Sequence, residues 1–159
     1  MEDVARRAGV GVGTVYRHFT TKQALIDAAL VARFSEALAG CRHALQIEDP
    51  WQAVRAAFSA VAMLNADDRC FSGLVAEQVH HSAAVAPVMV DLRAVWSELF
   101  GRAQRVGAMR SDVGVDDLPA LMCALASVVV RSESASVWQR HLGIMLDGLR
   151  AEGATPLAA

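Results

Sequence analysis

Residues 4 to 22 run Val4-Ala5-Arg6-Arg7-Ala8-Gly9-Val10-Gly11-Val12-Gly13-Thr14-Val15-Tyr16-Arg17-His18-Phe19-Thr20-Thr21-Lys22. Apolar residues at helical spacing stop at Gly9-Val10-Gly11 and resume at Val12, which predicts a short helix over 2–8, a glycine turn, and a second short helix over 12–19. Two short helices joined by a tight turn containing glycine have the helix-turn-helix geometry, in which the second helix enters the major groove of DNA. The residue chemistry agrees. Gly9 can take the left-handed conformation that ends a helix, Gly11 is an acceptable N-cap, and Gly13 removes a side chain where backbone and DNA could approach closely. Thr14, Tyr16, Arg17 and His18 carry donors suited to phosphates and base edges, with Val12 and Gly13 beside them. Lys22 falls in the first turn of the next helix, where its charge and free backbone N–H groups can hold a phosphate together.

Outward from this stretch, helical spacing continues almost throughout, and no alternating strand run appears. Thr20 and Thr21 offer a cap for a long helix from Lys22 towards Ala44, with Leu25, Ala29, Ala32 and Leu38 as its expected inner stripe. Further helices are predicted at about 51–66, 68–81, 86–106, 116–130 and 136–151, and the stretch 107–117 is the clearest loop. The expected fold is all-α, with a helix-turn-helix DNA-binding head and connecting helix over 1–44 and a helical-bundle body for ligand binding and dimerisation over 45–159.

Composition excludes other classes. With 54% hydrophobic and 20% charged residues over 159 positions, the chain holds ample apolar surface for a core, so disorder is ruled out. The run Leu118 to Val130 is shorter than the roughly 20 apolar residues of a membrane span. The mixed-charge N-terminus has no apolar stretch of the secretory kind, so a cytoplasmic location is expected. Cys41, Cys70 and Cys123 are odd in number and widely spaced, and read as small buried hydrophobes rather than disulfides or zinc ligands. The formal net charge of −2 hides an asymmetry: residues 1–22 carry Arg6, Arg7, Arg17 and Lys22 against Glu2 and Asp3, while the remainder is net acidic. A basic head on an acidic body suits a protein of which one end meets phosphate.

The run from Ala8 to Phe19, followed by Lys22, Ala24 and Leu25, resembles the recognition-helix signature of the TetR family of transcriptional regulators. The helical body that follows is similar in length and character to that family's. The resemblance implies a homodimeric regulator, most simply a repressor, whose body binds a small apolar or amphipathic effector. Binding would shift the long helix from Lys22 to Ala44, and with it the spacing of two recognition helices on a palindromic operator. Family members carry a further helix before the segment that begins here at Met1. We therefore expect the sequence to be a shortened version whose head is less ordered than its body and binds DNA weakly or not at all.

Alternative readings are weaker in chemistry. Gly9-x-Gly11-x-Gly13-Thr14 lacks the preceding strand and the Gly-Lys-Ser/Thr of a nucleotide-binding loop. His80 and His81 are adjacent and point to different faces of a helix, so no metal site is expected. No catalytic arrangement and no cofactor are expected either, and the protein reads as a non-enzyme. The main rival is a helical small-molecule-binding or scaffolding dimer that does not bind DNA.

In the body, adaptable or bulky groups of the kind that line an apolar cavity are Phe58, Met63, Phe71, Met89, Trp96 and Met122, with Gln78, His80 and Arg93 as polar handles. The last two helices carry more apolar positions than one small bundle can cover. This predicts a homodimer interface that includes Leu118, Leu121, Leu125, Trp138, His141, Ile144 and Met145.

Overall fold

A computed structural model describes residues 1–67, 83–132 and 134–157 of the chain. The protein is all-α. Two short helices, α1 (Glu2–Ala8) and α2 (Val12–His18), lead into the long α3 (Lys22–Ala44) and then α4 (Pro50–Asp67). A single 3-10 turn over Ala83–Val85 opens α5 (Ala86–Arg105), followed by α6 (Leu118–Arg131) and α7 (Ala135–Gly148). These follow the helices expected from spacing to within a few residues at each end; the helix expected at 68–81 lies outside the described residues.

The core forms where α3, α4 and α5 pack along one another and α6 and α7 close over α4. At its centre Phe58 is fully buried, with the Trp96 ring edge-on at 4.8 Å between centroids and the Phe100 ring stacked at 6.3 Å. Leu92, Val95, Leu99 and Ala103 complete the buried stripe of α5. A smaller cluster joins Leu30 on α3 to Val85 in the 3-10 turn, with Ile26, Phe34 and Val88 around it. The α3 face differs from the expected one. Leu30, Ala37, Leu38, Cys41 and Ala44 are buried, whereas Ala29 and Ala32 are exposed and Leu25 is half-buried. The helix is rich in alanine on every side, so the helical period could not single out one face.

Polar links made by two half-buried arginines hold distant segments in place. Arg102 on α5 donates to the carbonyls of Leu45 at 2.6 Å and Ile47 at 2.8 Å, just past the end of α3, where helix carbonyls lack partners. Arg110 grips both carboxylate oxygens of Asp112 and donates to the carbonyl of Thr155, tying down the C-terminal segment. That guanidinium, helped by the Leu157 backbone N–H, holds the Asp112 carboxyl well below its usual range. Burial pushes the Cys41 thiol up to about 12. Cys123, by contrast, is exposed, which corrects its reading as a buried hydrophobe, and Cys70 is outside the described residues. Among the described residues, no helix is long and apolar enough to cross a membrane and no cluster could hold a metal ion.

Candidate nucleic-acid interface

The head is built from backbone geometry more than from side-chain packing. Gly9 sits at φ 68°, ψ 25°, where a β-carbon is strongly disfavoured. Its N–H donates to the Arg6 carbonyl at 3.3 Å and the Val10 N–H to the Ala5 carbonyl at 3.0 Å, the paired bonds of a Schellman stop. Gly11, extended at φ −67°, ψ 144°, is the N-cap of α2 and accepts from the Thr14 N–H at 2.9 Å through its carbonyl. The turn Gly9–Gly11 therefore ends one helix and starts the next within three residues. Ala5 and Val15 are buried where α1 and α2 pack together, Phe19 is half-buried, and Val4 and Ala8 are exposed.

This arrangement leaves the whole outer side of α2 to solvent. Val12, Gly13, Thr14, Tyr16, Arg17 and His18 are all exposed, Tyr16 to the extent of 50%. A β-carbon placed on Gly13 would meet nothing within 4 Å, so the chain's own packing does not require glycine there. α3 begins with Thr21 as its cap, the hydroxyl oxygen accepting from the Ala24 N–H at 3.0 Å, and Lys22 is the first helical residue, exposed beside the N-terminal N–H groups. Among the cations of the head, Arg6 is paired with Asp3. Arg7, Arg17 and Lys22 have no ion-pair partner among the described residues, so their charge faces outward.

The residues proposed for an effector fall into three groups. Phe58 and Trp96 are packed ring to ring in the centre of the core. Met63 and Met89 are exposed, Met122 is half-buried against the core, and Arg93 is exposed and paired with Asp116 at 2.7 Å. Phe71, Gln78 and His80 lie outside the described residues. The six that the structure describes thus divide between the core, its edge and the exposed surface.

The expected dimer residues also divide. Leu125 and Trp138 are buried in the chain's own core, because α6 and α7 close over α4; they are therefore not available to a partner as expected. Leu118, Leu121 and Met145 are half-buried at its edge, while His141 and Ile144 are exposed. His141, with Val137, Val128 and Arg131, lines an open groove of about 570 Å³ between α6 and α7.

A short helix pair whose first helix ends on a left-handed glycine, whose second presents polar side chains, and which feeds a long helix into an all-helical bundle is the construction of a helix-turn-helix transcriptional regulator. The sequence comparisons give the family. The model for bacterial regulatory proteins of the tetR family matches residues 1–29, and that for the C-terminal domain of SbtR-like transcriptional regulators matches residues 49–151. Among solved structures, a TetR transcription regulatory protein from Mycobacterium vanbaalenii is 33% identical, with 93% of this chain and 81% of that one covered and a TM-score of 0.60. The TetR transcriptional regulator SCO0520 from Streptomyces coelicolor is 27% identical over 94% of this chain and 86% of its own, with a TM-score of 0.67. The ketosteroid transcriptional regulator KstR2 of Mycobacterium tuberculosis shares the fold at 20% identity, with 93% of this chain and 83% of that one covered and a TM-score of 0.71. No curated protein matches the chain. The chain belongs to the TetR family: it is a DNA-binding transcriptional regulator and not an enzyme.

Several structural residues had no obvious sequence signal. Arg102 and Arg110 look like ordinary surface cations until the fold brings distant carbonyls to them. Gly40 gave no motif either, yet a β-carbon there would stand 3.1 Å from the Ala60 methyl, so glycine allows α3 and α4 to approach closely.

Proposed function

We propose that this protein is a ligand-responsive repressor that acts in the cytoplasm as a homodimer on a palindromic operator. Residues 1–44 serve DNA binding and connection, and residues 45–159 serve effector binding and dimerisation. The observation that carries the reading is the unengaged outer side of α2 and the start of α3: the side chains of Thr14, Tyr16 and Arg17 on α2 and of Lys22 on α3 make no hydrogen bond or ion pair within the described chain. Tyr16 and Lys22 contact phosphates, while Val12, Thr14 and Arg17 face base edges, with Gly13 allowing close approach and His18 at the helix end. A small apolar or amphipathic effector in the body releases DNA through its different affinity for two positions of α3, since a ligand that binds both equally shifts nothing. Support for a moving α3 comes from its contact with the 3-10 turn through Leu30 and Val85, which ties its DNA-proximal half to the body. The exposed parts of α6 and α7, Val137, His141 and Ile144 among them, supply the dimer face.

The test is duplex binding as a function of salt. Lys22→Ala should weaken binding evenly across sequences and reduce the salt slope by about one unit per half-site. Arg17→Ala should instead cost about 1–3 kcal/mol on the preferred sequence and relax the preference. A Lys22 variant with unchanged salt dependence removes the lysine from the interface, and a wild-type chain without salt-dependent duplex binding overturns the reading.

A further inference from the structure

α3 runs from Lys22, next to the head, to Ala44 in the body, and it is held to the body by contacts of different kinds. At its far end Arg102 grips the Leu45 and Ile47 carbonyls that follow the helix. Further back, Gly40 meets α4 so closely that a β-carbon there would stand 3.1 Å from the Ala60 methyl. Nearer the head, Arg33 donates through one guanidinium nitrogen to the Leu64 carbonyl at 2.7 Å, in the last turn of α4. Between Lys22 and Leu30, the first buried residue of α3, no side chain of the helix is buried. The position of the head therefore follows from how α3 is held at Leu30 and beyond.

Arg33 differs from the apolar contacts around it. Its second guanidinium nitrogen donates to the Glu36 carboxylate at 2.7 Å on the same helix, and its side chain is only 20% exposed. The guanidinium is thus steadied by α3 itself while its fork reaches α4, whose carbonyl end favours a cation. The neighbouring contact of Leu30 with Val85 is apolar, and apolar burial is non-directional, so it tolerates sliding. A charge-assisted bond to one carbonyl is short and directional, and does not. Its place along the helix magnifies its effect. At 1.5 Å rise per residue, Arg33 lies about 10 Å from Gly40 and Lys22 about 27 Å from it, so a movement of about 1 Å at Arg33 about the Gly40 contact becomes about 2.6 Å at Lys22.

We propose that Arg33 is a positioning residue for DNA binding: its bond to the Leu64 carbonyl sets the angle of α3 about the Gly40–Ala60 contact, and with it the place from which Lys22 and α2 meet the duplex. This rests on the reading above, in which the position of α3 governs DNA binding, and names the bond that holds the position. Unwinding or displacement of the last turn of α4 withdraws the carbonyl and frees the angle, so a change in that turn is passed to the head without any contact between the two.

The test reads the distance from head to body. Spin labels are placed on the full chain at Ala8→Cys on α1 and Ser111→Cys in the loop after α5, both exposed positions, in a background of Cys70→Ser and Cys123→Ser; Cys41 is buried and stays. Pulsed electron resonance is recorded with excess unlabelled chain, so that only pairs within one chain count. The background should give one narrow distance. Arg33→Met, of similar reach without a donor, should widen the distribution by several ångströms. It should also weaken binding about fivefold or more to a duplex selected from a random pool by the wild-type chain, with the salt slope intact because Arg33 itself touches no phosphate. Arg33→Lys keeps a charged donor without the fork and should fall between the two, and it serves if the methionine variant does not fold. Glu36→Gln removes only the ion pair within α3 and should leave the distance unchanged, which separates the bond to α4 from the stability of α3. The proposal is overturned if neither Arg33 variant widens the distribution, if Glu36→Gln widens it equally, or if a variant with a widened distance binds the duplex as the wild type does. A wild-type chain that selects no duplex overturns the DNA reading itself, and this proposal with it.

Discussion

The head, α1 with α2, and the body from α3 onward are made of the same kind of element and are stabilised in different ways. In the head only Ala5 and Val15 are buried, and neither belongs to either core cluster. α1 and α2 pack principally on each other. In the body a continuous core runs from Ala37 to Leu149, centred on Phe58, Trp96, Leu99 and Phe100. A buried large apolar side chain contributes roughly 1.5–3 kcal/mol, so two small ones hold the head far less firmly than the aromatic cluster holds the body. The difference follows from the work each does. A recognition surface must leave its donors and its close-approach backbone uncovered, and every side chain kept free for DNA is lost to packing. The body can spend its apolar residues on rigidity, and α3 carries that rigidity up to Lys22.

The largest test of this contrast is hydrogen exchange. Amides of α1 and α2 should exchange several orders of magnitude faster than those of α5 and α7, whose opening approaches the global unfolding free energy of about 5–15 kcal/mol. Duplex DNA should slow exchange in the head far more than in the body. Equal protection of the two regions in the free protein would show that the head has stability its two buried residues do not explain.

Truncation probes the same difference by side chain. Phe58→Ala removes the ring on which Trp96 and Phe100 pack and should cost about 3–5 kcal/mol in denaturant unfolding. Val15→Ala should leave that transition almost unmoved while further loosening the head. If Val15→Ala lowered the main transition as much as Phe58→Ala, head and body would be one cooperative unit.

A third comparison lies within the body, between the buried and exposed flanks of α7. Ile144 is 60% exposed in the single chain, so Ile144→Asp should leave the subunit's fold intact. In a dimer face the same charge is desolvated without a partner and should halve the mass seen in sedimentation. A wild-type chain that remains monomeric at high micromolar concentration removes the face altogether.

How much of this could be read beforehand depended on how local the cause was. Gly9, Gly11 and Thr21 act on their immediate neighbours, so the turn and the start of α3 were legible in the sequence, as was the exposed chemistry of α2. The helix at about 86–106 was legible too, because Leu92, Val95, Trp96 and Leu99 recur at helical spacing. The inner face of α3 was not, since alanine blurs the period, and Leu125 and Trp138 looked free for a partner because sequence spacing does not reveal that α4 lies beneath them. The bond from Arg33 to the Leu64 carbonyl joins residues 31 positions apart. No motif could announce it.

The smallest expected effect sits at the junction of the two regions. The Thr21 hydroxyl oxygen accepts from the Ala24 N–H at 3.0 Å and so closes the first turn of α3, on which Lys22 is mounted. Thr21→Ala removes that acceptor and should cost about 1 kcal/mol, felt as fraying of the first turn of α3 rather than as loss of the body's core. Exchange at Ala24 and its neighbours should quicken by severalfold, the main unfolding transition should hardly move, and Thr21→Ser, which keeps the oxygen, should restore protection. Because Lys22 shares that turn, DNA affinity should fall slightly with the salt slope intact, which separates a loosened lysine from a missing one. Were Thr21→Ala to destabilise the whole body, the head would be coupled to the core through the start of α3, and the division between the two regions would have to be drawn elsewhere.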